Sequence, residues 1–275
     1  MRETHGLSER RACGLVGITR SSHRYRHRRR DDRELRERLH QLAYQRQRFG
    51  YRRLGALLRR EGMLVNHKRI YRLYRAEGLV VRRRQRKRVA STSRAMPPAP
   101  RQANERWSLD FMADSLASGR PFRTLNIVDD YTRECLAIEV DTSLPGTRVV
   151  RVLEALHRDR GTPPRIVLDN GPELTSQALD QWAAGHGLLL DFIEPGKPIQ
   201  NAYIESFNGK FRDECLNQHW FGSLAEARAI IEAWRQDYNQ QRPHSALGYA
   251  TPQEVATAAE SESRESLSPT RMRLA

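Results

Sequence analysis

At Trp107 the hydrophobic pattern of this 275-residue chain changes its period, and with it the kind of fold the chain can build. Before that point apolar residues recur at helical spacing; after it they gather in short runs bounded by turn residues. Trp107–Met112, Arg123–Asp129 and Cys135–Val140 read as three consecutive strands, with the turn Asp130-Tyr-Thr-Arg133 between the second and third. A helix over 147–158, a strand over 165–168, a helix over 174–186, a strand over 188–193 and a helix from about Gln200 follow. Antiparallel strands followed by strand–helix alternation predict a mixed α/β sheet covered by helices.

Three carboxylates stand out against this pattern. Asp110 interrupts the first apolar strand, where alternation sends Leu109 and Phe111 to one face and Asp110 to the other. Asp169 ends Arg165-Ile-Val-Leu-Asp169, at the carboxyl end of a strand, where open α/β sheets bind ligands. Glu205 shares a helical face with Asn201, Asn208 and Arg212, while Ile204, Phe207 and Phe211 form the face that can be buried. Taken singly, Asp169 is a turn residue, Asp110 an edge-strand solubiliser and Glu205 a surface charge. Taken together they form a set that a hard divalent cation such as Mg²⁺ neutralises. Two strand carboxylates and one helix carboxylate suit a pair of Mg²⁺ ions, with Mn²⁺ able to substitute, about 3.5–4 Å apart. Such a site performs in-line phosphoryl transfer. Asp129, Asp130 and Glu173 read as structural, from their turn and helix-start positions. Glu194, in a loop before Pro195, suits DNA contact more than metal.

Charge is split along the chain. Residues 1–101 hold 30 of the 48 Lys+Arg and 8 of the 33 Asp+Glu, a balance of +22; the remainder balances at −7. The basic part reads as a polyanion binder. Residues 1–30 outline a short helix-turn-helix-like segment, and residues 31–90 a better marked one. In the latter a charged helix from about Asp31 to Arg46 precedes Tyr51–Arg60 and Asn66–Arg75. Leu54, Leu57 and Leu58 share one helical face and Ile70, Leu73 and Tyr74 another, which leaves Lys68, Arg69, Arg72 and Arg75 on an outward basic face suited to a DNA backbone. Residues 91–103, with the charge run Val81–Arg88 ahead of them, read as a basic, Pro-containing linker, and residues 256–275 as a frayed tail. Ser223 and Glu226 predict a capping box for a helix whose Trp234 and Tyr238 belong to the core. Beyond it, Arg242 is positioned either to reach a phosphate or to brace the catalytic helix. Cys13, Cys135 and Cys215, odd in number and scattered, argue against disulfides and zinc. His23 and His27 have i,i+4 spacing, but the interleaved arginines would repel a cation. The N-terminus lacks an apolar signal region and no stretch approaches a membrane span, so the expected compartment is the cytoplasm, with no membrane partner.

The spacing of 35 residues between Asp169 and Glu205, with Arg212 seven beyond, matches the pattern of retroviral integrases and related transposases. Trp107-Ser-Leu-Asp110, Leu168-Asp-Asn-Gly171, Pro195-Gly-Lys-Pro198, Asn201-Ala-Tyr-Ile-Glu-Ser-Phe-Asn-Gly209, Arg212-Asp-Glu-Cys-Leu-Asn217 and Tyr238-Asn-Gln-Gln-Arg-Pro-His244 resemble the second-reading-frame proteins of bacterial insertion sequences of the IS-three family. The resemblance runs from about residue 8 to 255. It implies a ribonuclease H-like catalytic core over 104–255 preceded by an all-α helix-turn-helix region. It also implies metal-dependent cleavage and strand transfer at element ends, with Asp110, Asp169 and Glu205 catalytic. Candidate DNA contacts are Lys68, Arg69, Arg72, Arg75, Lys197, Asn201, Asn208, Arg212 and Arg242. Expected partners are double-stranded DNA, further copies of the chain on that DNA, and an upstream-frame protein that supplies the multimerisation helix missing here and is joined by frameshifting. The competing readings are a catalytically silent binder of element ends and a ribonuclease H, which shares the core but does not require a duplex reader.

Overall fold

The computed structural model describes residues 6–25, 31–81, 98–194 and 198–267. Most of the expected linker, Lys197, and the end of the expected tail lie outside the described residues.

Three helices form the unit ahead of the sheet: α3 (Arg33–Gln45), α4 (Tyr51–Arg60) and α5 (His67–Ala76), after the small pair α1 (Glu9–Val16) and α2 (Arg20–Arg24). Their apolar stripes meet in one core of Leu35, Leu39, Leu42, Phe49, Leu54, Leu58, Ile70, Leu73 and Tyr74. Helix α5 starts where Asn66 Oδ1 accepts the Lys68 amide at 2.9 Å, satisfying one of the orphan donors of a first turn. Gly78 follows at φ 68°, a left-handed position suited to glycine, and the chain turns there.

The sheet has five strands in the order β3-β2-β1-β4-β5, formed by β1 (Arg106–Ser115), β2 (Pro121–Asp129), β3 (Cys135–Asp141), β4 (Arg165–Leu168) and β5 (Leu189–Phe192). The first three pair antiparallel; β4 runs parallel to β1 and β5 parallel to β4. Helices α6 (Gly146–Arg160) and α7 (Gln177–His186) cover one face. Their core includes Trp107, Leu109, Leu125, Ile127, Leu153 and Trp182. The other face carries α8 (Ala202–Glu214) and α9 (Leu224–Gln240) over Phe122, Val128, Val140, Phe207, Phe211 and Tyr238. The mixed sheet and its helical flanks agree with the sequence reading. Of the expected capping box the Ser223 half forms, Ser223 Oγ accepting the Glu226 amide at 3.1 Å, while Glu226 Oε2 accepts the Gly222 amide at 2.8 Å, one residue ahead of the cap; Trp234 and Tyr238 pack against Phe207.

One expectation fails. Residues 256–275 read as a frayed tail, yet α10 runs Pro252–Leu267. A reciprocal capping box starts it: Thr251 Oγ1 accepts the Glu254 amide at 3.2 Å and Glu254 Oε2 accepts the Thr251 amide at 2.7 Å, with Pro252 in the first turn. Ala256 is buried, so the helix starts on a packed base despite its polar composition.

Candidate active site

The sheet's alternation creates the site. On the α8 side of β1 and β2 the inward positions include Ser108, Asp110, Thr124 and Asn126, a polar strip between apolar neighbours, with Asp110 directly opposite Asn126 in the antiparallel register. Asn126 Nδ2 donates to Asn208 Oδ1 at 2.7 Å, and Asn208 Nδ2 donates to Asp110 Oδ2 at 2.7 Å. A relay from β2 through α8 therefore fixes one oxygen of Asp110, while the Phe111 amide donates to the other at 2.8 Å. Asn201, at the start of α8, donates from Nδ2 to the Leu109 carbonyl at 3.2 Å and pins the helix to the same strand.

Asp169 follows the end of β4, where its Oδ1 accepts the Gly171 amide at 3.0 Å in a local turn. Glu205 lies exposed in the first turn of α8. Burial pushes Asp110 up to about 6; the charges of Asp169 and Glu205 add to the rise, against the Phe111 and Asn208 hydrogen bonds that lower it. Asp110 thus senses both of the other carboxylates across one end of the sheet. They are arrayed around that end without being drawn to a point: among the described residues no group of three or more His, Cys, Asp or Glu is gathered closely enough to hold a metal ion. The donor chemistry nonetheless fits Mg²⁺, since all three are carboxylates and the repulsion that raises Asp110 is what a divalent cation would cancel.

Several residues expected at DNA serve the protein itself. Arg242 is 1% exposed; its Nε and Nη2 donate to Glu214 Oε2 and Oε1, both at 2.6 Å, so it braces the end of α8 and is closed to a phosphate. Asn201 and Asn208 are buried, and their carboxamides serve Leu109 and Asp110. Arg212 binds Asp114 Oδ2 at 2.8 Å and the Ala113 carbonyl at 2.7 Å, tying α8 to the far end of β1, not the neighbouring Asp213 or Glu214. On α5, Arg69 and Arg72 both reach Asp32, Arg72 remaining exposed as it does so, while Lys68 and Arg75 stand exposed with no carboxylate partner among the described residues. The structural reading of the other acids is supported. Asp129 accepts the Asn104, Tyr131 and Thr132 amides, Asp130 takes Arg106 and Ser108, and Glu173 pairs with Arg123. Asn239 brackets the Cys135 backbone with both ends of its carboxamide, holding α9 on β3.

Sequence reasoning missed Asn126. The signal was present as an amide inside the apolar run Arg123–Asp129, but its meaning depends on a register with β1 that the sequence does not state. It also missed that the helical unit docks on the core. Arg46 pairs with Asp237 at 2.6 Å, Arg48 with Asp213 at 2.8 Å, Arg53 with Glu214 at 3.3 Å and Arg60 with Glu254 at 2.6 Å.

Residues 100–198 and 186–252 match the family described as integrase core domain, and residues 29–87 match an HTH-like domain. The chain is 55% identical over 93% of its length to a 31.7 kDa protein of insertion element IS407 from Burkholderia multivorans, covering 93% of that protein. It is 29% identical to the transposase InsD of insertion element IS2 from Escherichia coli, over 82% of this chain and 78% of that one. Among solved structures, a chain of the simian T-cell lymphotropic virus intasome aligns with a TM-score of 0.51 at 13% identity, over 79% of this chain and 73% of that one, and so shares the fold. With a ribonuclease H-like sheet behind an HTH-like helical unit, the chain belongs to the integrase-core transposases of bacterial insertion sequences, of the IS-three type.

Proposed function

We propose that this transposase cleaves and joins DNA strands at the ends of its own element, with Asp110, Asp169 and Glu205 as the catalytic carboxylates and ligands of two Mg²⁺ ions, or of Mn²⁺ in their place. The observation that carries the reading is the placement of Asp110 on β1, Asp169 just past the end of the neighbouring parallel β4, and Glu205 in the first turn of α8, whose Asn208 binds Asp110, in a chain whose relatives include transposases. Bound there, two divalent cations would activate the attacking oxygen and stabilise the leaving oxygen of a phosphodiester.

The chain's own residues do the positioning. The Asn126–Asn208 relay and the Phe111 amide hold Asp110 in one rotamer, so the ordering of that ligand is done on folding and not at the moment of binding. Arg212 and Asn201 fix α8 to β1 at two points, which sets where Glu205 stands relative to Asp110. The reaction needs no covalent protein intermediate. In cleavage a water oxygen bonds to phosphorus and the element's 3′-oxygen departs as a hydroxyl. In joining, that hydroxyl attacks a second phosphodiester, whose own 3′-oxygen departs as a hydroxyl, so one phosphodiester replaces another. The exposed Lys68 and Arg75 of α5 contact backbone phosphates of duplex DNA in this reading, Lys197, eight residues before Glu205 in the sequence, adds a further contact, and further copies of the chain together with an upstream-frame protein complete the assembly in the cytoplasm.

Asp169→Asn tests the assignment. It should abolish nicking and strand transfer in Mg²⁺ while leaving duplex affinity within a few-fold of wild type, because removing ligand charge empties the metal site but leaves the basic surfaces intact. Robust Mg²⁺-dependent cleavage by this variant would remove Asp169 from the site.

A further inference from the structure

Around Lys210, on one face of α8, cations outnumber carboxylates. Tyr203, Ser206 and Lys210 follow one another along that face, beginning beside Glu205, and Lys210 Nζ donates to Ser206 Oγ at 2.9 Å. The charges acting on Lys210 are Arg242, Arg53 and Arg133 against the single carboxylate of Glu214. Glu214 is already committed: Arg242 occupies both its oxygens, and Arg53 shares Oε1 at 3.3 Å. Burial and these cations bring Lys210 down to about 7, a cost that an anion at this place would remove.

Arg133 supplies a second and independent sign. Its backbone sits at φ 64°, a left-handed conformation that costs a non-glycine residue about 1 kcal/mol or more, in the turn between β2 and β3. That turn sets its guanidinium 3.9 Å from the centroid of the Tyr203 ring. Its Nη1 is shielded from solvent and meets no hydrogen-bond partner, although buried donors are almost always paired. A strained backbone, a stacked guanidinium and an unused donor converge on the end of α8 that bears Glu205. Ser206 is exposed between them, so the place is open to a ligand.

We propose that Arg133 and Lys210, with Arg53 contributed by the helical unit, form a phosphate-binding site on α8 that holds a phosphodiester of the DNA strand entering the catalytic centre. The inference rests on the DNA-processing reading above and extends it, since it has the helical unit and the core grip the same strand. The ligand chemistry is a phosphate dianion or diester; its source is the DNA backbone. Arg242 lends charge and saturates Glu214 but makes no contact with the ligand.

The test is the affinity of the full chain for a short duplex of arbitrary sequence, measured by fluorescence anisotropy across a salt series for wild type, Arg133→Gln and Lys210→Gln. Each variant should weaken binding several-fold at moderate salt and reduce the slope of log affinity against log salt by about one, the signature of one lost phosphate contact. Ser206→Asp, an exposed change that leaves the packed groups in place, should weaken binding similarly by setting a carboxylate where the phosphate goes. Thermal melts with and without inorganic phosphate form the second arm. Wild type should be stabilised by phosphate, and Arg133→Gln and Ser206→Asp should not be. Unchanged slopes in all three variants would overturn the site. Phosphate stabilisation that the variants abolish, with duplex affinity unaffected, would overturn the DNA strand as the source. A chain that cleaves DNA while its variants keep wild-type slopes breaks this inference alone; one that binds duplex through these residues and never cleaves breaks the catalytic reading alone.

Discussion

The two faces of the sheet are built on different principles. Under α6 and α7 the strand surface is apolar: Trp107, Leu109, Leu125 and Ile127 meet Leu153, Leu156 and Trp182 from the helices, and the polar groups of this wall, among them His157 and Ser176, lie where α6 meets α7. Under α8 and α9 an apolar half of Phe122, Phe207, Phe211 and Tyr238 is joined by a polar strip of Ser108, Asp110, Thr124, Asn126, Asn201 and Asn208. That strip is incompletely paired, for Thr124 Oγ1, Asn126 Oδ1 and Asn201 Oδ1 are all buried without partners. An unpaired buried polar atom costs about 1–3 kcal/mol, so the strand surface of this face gives up stability that the strand surface of the other retains, although His157 Nδ1 and Ser176 Oγ are unpaired between α6 and α7. The difference separates a wall that holds the fold from a wall that holds a carboxylate in place. Each of three measurements can break it.

The largest effect belongs to the apolar wall. Leu153→Ala on α6 removes a fully buried side chain and leaves a cavity between helix and strands, which should cost about 2–5 kcal/mol in urea unfolding. Its metal requirement for cleavage should stay within a factor of two of wild type when measured on the folded fraction. A large rise in that requirement would mean that the two walls are mechanically one.

Asn126→Leu is the counterpart on the polar wall. It keeps the volume near β2 but removes the donor that orients Asn208, and through it Asp110. Asn126 acts as a positioning residue, so the Mg²⁺ concentration for half-maximal cleavage should rise about 10- to 100-fold, the range for partners that orient a metal ligand. Mn²⁺ affinity, followed by titration calorimetry in the absence of DNA, should fall in parallel. Stability should change little, because Leu abolishes the unpaired Asn126 Oδ1 but leaves the buried Asn208 Oδ1 without its donor. Loss of stability with unchanged Mn²⁺ affinity would make the relay an ordinary core contact.

How much of this was legible in the sequence follows from the same contrast. Apolar periodicity sees the walls: every strand and the helices of the core, along with the internal core of the helical unit, appear near their expected positions because period 2 and period 3.6 are local properties. The three carboxylates were visible because each violates its local pattern. The pairings were not. Whether Asn208 faces DNA or Asp110, and whether Arg242 meets a phosphate or Glu214, depends on register and helix docking, which join residues that lie 98 and 28 positions apart. Composition misled at both ends of the chain. Helix α10 begins at a capping box that a Ser- and Glu-rich segment concealed, and arginines counted toward a polyanion-binding surface, Arg46, Arg48, Arg53 and Arg60, are bonded to carboxylates of the core.

Those docking pairs also give the smallest effect, and they ask whether the helical unit reinforces the α8 wall or merely rests on it. Arg48 and Asp213 form a two-point contact with side chains 36% and 41% exposed, so solvent and salt screen the pair and its coupling should be about 0.2–1 kcal/mol. A double-mutant cycle of Arg48→Ala and Asp213→Ala, read by urea unfolding at low and high salt, measures that coupling and should find it shrinking as salt rises. Arg53 shares the strongly buried Glu214 with Arg242, so the same cycle with Arg53→Ala and Glu214→Ala mixes docking with the internal brace and should give the larger, less salt-sensitive value. If the Arg48–Asp213 coupling instead exceeds about 2 kcal/mol and resists salt, the helical unit is an integral layer over α8, and the two-wall description must be widened to include α3 and α4 as part of the wall that holds the site.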